Sequence, residues 1–221
     1  MDKYAVVIAG PSGAGKTTVA DALIDMLGNL EMSRSATTRA KRGDGRDDEY
    51  VYLTSAEFEN SIKSGDVLEY TLYSGNYYGT RKYELDRIFE NGKNPILVLD
   101  YNGVKSLKNK LDYPVYAIYV YTSLDVAVSR LRERDLHSSF DEKKAMIFEK
   151  RQKENIKDYS VLHTLSDLFD FYSENDTVED CAKKIIDAIE KLKSGIAPMS
   201  HDEKMALTVD FKRQSEEKGK I

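Results

Sequence analysis

Gly10-Pro11-Ser12-Gly13-Ala14-Gly15-Lys16-Thr17 follows an apolar run, Tyr4-Ala5-Val6-Val7-Ile8-Ala9, and precedes a helix-prone segment, Thr18 to Leu27. Strand, glycine-rich turn and helix, in that order, are the setting in which Gly-x-x-x-x-Gly-Lys-Thr wraps a phosphate group. Glycines let the backbone turn its N–H groups inward around an oxyanion, and the following helix offers its positive end. Lys16 has the reach for the outer phosphates of a polyphosphate, and the Thr17 hydroxyl is a ligand for Mg²⁺. At average residue usage, four fixed positions recur by chance in about one chain in a hundred of this length. The strand and helix on either side lower that further, so the stretch is read as a phosphate loop.

Outward from the loop, the chain alternates between strand and helix patterns. Gly28 stops the first helix, and a short strand is expected over Leu30 to Ser33. Ser35 to Arg46 is polar, cationic and punctuated by glycine, which reads as a loop. Glu49 to Leu53 alternates as a strand, and Thr54-Ser55-Ala56-Glu57 opens a short helix with a capping box that closes at Gly65. Val67 to Tyr73, the turn Ser74-Gly75-Asn76, and Tyr77-Tyr78 predict a hairpin. The segment from Ser35 to Thr80 is therefore expected to be a run of short antiparallel strands. Beyond it, Arg81 to Asn91 reads as a helix stopped by Gly92, and Pro95 to Asp100 as a buried strand ending in an acid. Gly103 to Lys110 reads as a helix and Val115 to Tyr121 as a further apolar strand. Continuous apolar strands separated by helices predict a parallel sheet covered on both faces. Arg130 to Lys157 carries too little apolar content to be core. Phe169 to Ser173 is the last expected strand and Thr177 to Lys193 an amphipathic helix. The polar tail from Ser194 is expected to be partly disordered or loosely helical.

Composition excludes several classes. The chain has 221 residues, 32% charged and 41% hydrophobic, with a net charge of -5 and a mean hydropathy of -0.54. That balance fits a soluble protein without a membrane partner, since no apolar run nears the ~20 residues of a span. The first strand begins so early that no signal peptide is expected before it. Its acidity argues against a nucleic-acid partner. The one cysteine, Cys181, excludes an internal disulfide and suits a reducing cytoplasm. The scattered histidines His137, His163 and His201 make no zinc site.

Several pieces together resemble the guanylate kinase family. They are the Gly10–Thr17 loop, Ser35-x-Thr37-Thr38-Arg39-x-x-Arg42, Val67-Leu68-Glu69-Tyr70, Tyr73-Ser74-Gly75-Asn76-Tyr77-Tyr78-Gly79-Thr80 and Asp100-Tyr101-Asn102-Gly103-Val104. Their order and spacing agree with the family, apart from about one residue missing after Arg42. The resemblance covers the chain from the phosphate loop to about Asp176. It implies an α/β fold: a phosphate-loop parallel sheet core with helices on both faces, an inserted small antiparallel flap for a nucleoside monophosphate, and a helical lid. In residue terms that is one kinase-like domain over 1–194. Its core is 1–34, 81–124 and 160–194, its GMP-binding flap 35–80 and its lid 125–159, with a polar tail over 195–221.

The same resemblance implies Mg²⁺-dependent transfer of a phosphoryl group from ATP to GMP. ATP would lie on Gly10, Pro11, Ser12, Gly13, Ala14, Gly15, Lys16, Thr17 and Thr18, with Asn175 near the adenine. GMP would meet Ser35, Arg39, Arg42, Tyr50, Glu69, Tyr78, Thr80 and Asp100, and the metal would be held near Thr17 and Asp100. Lys16, Arg39, Arg130 and Arg134 are the expected catalytic cations. The residues support this independently. Arg39 and Arg42 are guanidinium forks suited to a phosphate. A carboxylate at Glu69 can accept from both N1–H and the 2-amino group of guanine, which adenine cannot offer. An acceptor phosphate with a second pKa of about 6 is already mostly a dianion at neutral pH, so the scarcity of histidine is no obstacle.

Three positions depart from the family pattern. Val98 stands where the family carries an acid, and Lys41 where the flap has proline. The third lid arginine has no clear counterpart, leaving Lys144 and Arg151 as candidates. The segment Ile156 to Leu168 also looks longer than usual. Two other readings remain open: a non-catalytic guanylate-kinase-like module that binds phosphorylated partners, and a related kinase with another small phosphorylated acceptor, such as a ribose bisphosphate. Retention of Lys16 argues against the first, and the set Glu69, Ser35 and Thr80 against the second. ATP and GMP are the expected small-molecule partners of a cytoplasmic monomer or weak homodimer.

Overall fold

A computed structural model describes residues 3–41, 48, 50–73, 75–136 and 142–219. The chain divides into two compact units, Met1–Val7 with Ile24–Val115, and Ile8–Leu23 with Tyr116–Ile221. Strand β1 (Ala5–Ala9) and helix α1 (Lys16–Leu27) each contribute residues to both. Every residue of β1 is buried, as its unbroken apolar run predicts.

In the first unit, β2 (Leu30–Met32) pairs in parallel with β7 (Asn94–Val98), Met32 opposite Ile96. Between them in sequence lies a separate small sheet in the order β4-β3-β6-β5, built from β3 (Ser35–Thr37), β4 (Tyr50–Tyr52), β5 (Val67–Tyr73) and β6 (Asn76–Arg81). The β5–β6 hairpin is antiparallel as predicted. The β3–β4 pair, however, is parallel. That corrects the expectation of a wholly antiparallel flap: β3 and β4 run in the same direction, a pairing that a tight hairpin turn cannot make. Helix α2 (Ser55–Lys63) has the predicted capping box, Thr54 accepting from the Glu57 N–H while Glu57 accepts from the Thr54 N–H. Its Phe58 is fully buried with Ala36 and Val67 and stacks on Tyr77, ring centroids 5.0 Å apart. The small sheet thus has its own core.

Helix α3 (Lys82–Glu90) follows β6 directly, and α4 (Tyr101–Lys110) follows β7. The strand before α4 stops at Val98, two residues short of the sequence expectation. Asp100 is instead the N-cap of α4, accepting from the Gly103 N–H at 2.8 Å. A side-chain oxygen that satisfies an orphan helix N–H favours the cap over one more strand residue.

In the second unit, β8 (Val115–Tyr121, its first residue in the other unit) pairs in parallel with β9 (Phe171–Glu174). The larger sheet has five strands in the order β2-β7-β1-β8-β9. Helix α5 (Leu124–Leu136) is followed by α6 (Glu142–Val161), two short 3₁₀ turns and, after β9, α7 (Val178–Lys193). Thr177 caps α7, which buries Cys181, Ala182, Ile185, Ala188 and Ile189 along one stripe.

The charged segment over 130–157 is not wholly outside the core: Leu131 and Asn155 are buried and Phe148 nearly so. The tail differs more. Residues His201–Lys218 form a regular helix, α8, with a capping box between Ser200 and Glu203. Its Phe211 is buried against Tyr121, Tyr159 and Tyr172. A polar helix is held in place when one large ring on it is buried among others, and mean hydropathy does not register a single ring.

Candidate active site

The phosphate loop leaves β1 at Gly10. A Cβ there would lie 1.9 Å from the Val120 carbonyl oxygen, so only glycine fits. The Pro11 carbonyl accepts from the Ala14 N–H at 3.2 Å and from the Lys16 ammonium at 2.9 Å. Two buried asparagines hold the turn from outside it. Asn175 donates from its amide nitrogen to the Ala14 carbonyl at 2.7 Å. Asn155 accepts from the Ser12 N–H at 2.7 Å and donates to the Ser12 carbonyl at 2.8 Å.

Lys16, Thr17 and Thr18 line a cleft of about 330 Å³ together with Ser12, Gly13 and Gly15 and with Arg130, Arg134 and Arg151. Of the two candidates for a third cation, Arg151 is among the residues that line this cleft. Arg130 also donates to the Asn175 backbone carbonyl at 3.2 Å, which fixes its direction. Burial pulls the Lys16 ammonium down to about 8; Asp158 opposes this, while Arg134 and Arg151 add to it. An anion entering the cleft would reverse that balance.

The first unit holds a second cleft, about 280 Å³, lined by Ser35, Glu69, Tyr78, Val98, Asp100 and their neighbours. A β-bulge sets its chemistry. The β5–β6 register shifts between Val67 and Glu69, so Val67 faces Arg81 while Glu69 faces Thr80. Without that extra residue Val67 and Glu69 would keep the strand's regular alternation; with it, Val67 and Leu68 are both buried and Glu69 is re-aimed. The buried Thr80 hydroxyl donates to the Glu69 carboxylate at 2.7 Å. Lys110 of α4 donates to the Leu68 carbonyl at 2.6 Å, anchoring the bulge. Burial raises the Glu69 carboxyl above its ordinary value, the Thr80 hydrogen bond opposes this, and the charge of Asp100 adds to it. Gly79 permits the close hairpin, since a Cβ would lie 2.4 Å from the Glu69 carbonyl oxygen.

Beside Tyr78, the Arg39 guanidinium lies 5.2 Å from the Tyr50 ring centroid and 5.8 Å from that of Tyr52, whose hydroxyl accepts from it at 3.3 Å. Tyr50 and Tyr78 meet edge to face at 6.3 Å. Tyr52 is a further ring of this group that the motifs do not mark; its only signal in the sequence is that it follows Tyr50 at strand spacing. Lys41 stands over the same Tyr52 ring, 5.3 Å from its centroid. Arg42 lies outside the described residues. The flap's two ends are tied to each other: Arg34, just before β3, and Arg87 both donate to buried Glu84, at 2.9 Å each.

Among the described residues no three His, Cys, Asp or Glu side chains cluster to hold an ion. The Thr17 hydroxyl, exposed in the loop cleft, is an oxygen donor of the kind Mg²⁺ takes alongside phosphate oxygens and water. One Asp100 oxygen is engaged by its helix cap.

A phosphate loop on a parallel-sheet core, an arginine-lined cleft beside it, and a small inserted sheet with its own polar cleft define a nucleoside monophosphate kinase. Residues 2–192 match the guanylate kinase family. Guanylate kinases of Clostridium perfringens (strain SM101 / Type A) and Porphyromonas gingivalis are each 35% identical, over 81% and 83% of this chain and 79% and 95% of their own. That of Fusobacterium nucleatum is 32% identical, over 83% of this chain and 94% of its own. A crystal structure of guanylate kinase from Anaplasma phagocytophilum shares the fold, with a TM-score of 0.60 and 23% identity over 91% of this chain and 89% of its own. The chain belongs to the guanylate kinase family.

Proposed function

We propose that the chain transfers the γ-phosphoryl group of ATP to GMP, giving ADP and GDP in purine nucleotide metabolism. The observation that carries this is the cleft in which the bulged strand turns Glu69, held by Thr80, inward beside Ser35 and Tyr78. A half-buried carboxylate there would accept from N1–H and the 2-amino group of guanine. A base without those donors would leave it unpaired, the condition for strong discrimination. Arg39 on Tyr50, beside Tyr78, would receive the acceptor's phosphate, with Arg42 as a second fork.

Lys16 would bind the outer phosphates of ATP, and Arg130, Arg134 and Arg151 would neutralise charge as it spreads over the transferring group. The acceptor dianion attacks without a general base. Closure of α5, bringing Arg130 and Arg134 in, would exclude water and so spare ATP from hydrolysis. Thr17 would hold Mg²⁺, which supplies charge neutralisation and orientation to the phosphates when bound. The enzyme is read as cytoplasmic, monomeric or weakly dimeric; among the described residues no helix is long and apolar enough to cross a membrane. ADP release measured with GMP, dGMP, AMP, CMP, UMP and ribose phosphates tests the reading. GMP should be turned over far faster than AMP or the pyrimidines. Preference for a ribose phosphate, or no turnover at all, would overturn it.

A further inference from the structure

Helix α6 carries Arg151, Asn155 and Tyr159 at successive four-residue intervals, which places them along one face. Each has a specific contact within the second unit. Arg151 lines the phosphate-loop cleft, and Tyr159 donates to the Thr122 carbonyl just beyond β8. Asn155, 1% exposed, grips the Ser12 backbone with both ends of its carboxamide. This two-point grip is the pattern one strand makes on the next, delivered by a side chain.

We infer that Asn155 is a positioning residue for the nucleotide site: it fixes the first turn of the phosphate loop to the helix that supplies Arg151. The inference rests on the ATP-binding reading of that loop. Ser12 N–H, engaged by Asn155, is withdrawn from the set of loop amides that receive phosphate, leaving those that follow it. The carbonyl of Pro11, next to it, is already occupied by Ala14 and Lys16. The turn is therefore preorganised before a ligand arrives, and a preorganised loop loses less freedom on binding. Because Asn155 and Arg151 lie one turn apart, the loop and the arginine hold a constant separation. A polar residue at this helix-interior position has no propensity reason to be there, and burial without partners would cost the helix stability.

The test uses the full chain. Asn155→Ala should raise the dissociation constant for ATP, read by direct titration, and the KM for ATP by about tenfold, the effect expected for two neutral hydrogen bonds. GMP affinity should not change. Tyr159→Phe removes a buried hydrogen bond from the same helix face while leaving the grip on Ser12. It should lower thermal stability comparably and leave ATP affinity as in the unaltered chain. Equal loss of ATP affinity in both variants, or none in a folded Asn155→Ala, overturns the inference. Amide exchange in the unaltered chain gives a reading that needs no variant. The Ser12 amide should be protected with and without ATP, whereas those of Gly13 and Gly15 gain protection on binding; rapid Ser12 exchange in the free protein overturns the inference. ATP binding without GMP turnover in the unaltered chain would remove the proposed acceptor and leave the positioning role intact.

Discussion

Phe211 stacks on Tyr159, ring centroids 4.6 Å apart and planes 30° from parallel, and so joins the last helix to the face of α6 that grips the phosphate loop. Both rings are buried, and Tyr119, Tyr121 and Tyr172 also lie within ring-contact range of Phe211. Phe211→Ala would leave a ring-sized void among aromatics that are themselves fixed. The expected cost is about 3 to 5 kcal/mol, or on the order of 10 °C in thermal midpoint for a chain of this size. Thermal unfolding followed by circular dichroism checks it. A shift of only a degree or two would mean that α8 contributes little to the second unit.

That contact also shows what the sequence conveys and what it does not. The phosphate loop, the capping box at Thr54 and the strand Val115–Tyr121 were legible because each is a local pattern with its own physical cause. Helix α8 was not, because its anchor is a single ring in a polar stretch, and a ring reveals its partners only when the chain is folded. The bulge at Leu68 is hidden for a similar reason: in sequence, Val67 and Glu69 stand two apart and read as one face of a regular strand. Asn155 left only a weak trace, an amide on the same helical face as Tyr159. The parallel β3–β4 pair could not be foreseen either, since strand direction depends on how the chain returns between the strands.

Lys16 should make ATP binding depend on pH just above neutrality. Its pKa in the free protein is about 8 against an ordinary 10.5, and bound polyphosphate would raise it again. Below pH 8 the ammonium is already formed and binding takes up no proton. Between about 8 and the higher value of the complex, binding must carry a proton in, so affinity should fall toward tenfold per pH unit. Calorimetric titrations in buffers of different ionisation heat should show proton uptake at pH 8.5, and little at pH 7, where the ammonium is already formed. Equal protonation at both values would place the lysine elsewhere in the complex. Lys16→Ala should abolish turnover and leave GMP binding intact.

Glu69→Gln should erode the preference for GMP over AMP, because the amide nitrogen cannot accept from guanine's donors. Losing one of the two charge-assisted hydrogen bonds and weakening the other, now made to a neutral oxygen, corresponds to about 3 kcal/mol, on the order of a hundredfold in kcat/KM for GMP. Acid should act similarly on the unaltered chain. Burial raises the Glu69 pKa above 4.5, so GMP affinity should begin to fall at a higher pH than an exposed carboxylate would dictate. An unchanged GMP-to-AMP ratio in the variant would take Glu69 out of base recognition.

Glu84 should support both stability and the geometry of the flap. Burial opposes its charge, but hydrogen bonds from Arg87 and Arg34 outweigh that and hold its pKa to about 2. A carboxylate depressed in the folded state stabilises it above the unfolded value near 4.5, and the contribution disappears as pH falls toward 2. Replacing it by glutamine should therefore cost about 2 to 3 kcal/mol at pH 7, with the gap between variant and unaltered chain narrowing below pH 4. Chemical denaturation at pH 7 and pH 3 measures both. Arg34 enters the flap and Glu84 stands just past its exit, so the variant should also raise the KM for GMP more than that for ATP. Equal changes in the two, or a stability gap that does not shrink in acid, would show that Glu84 does not act through this charge pairing.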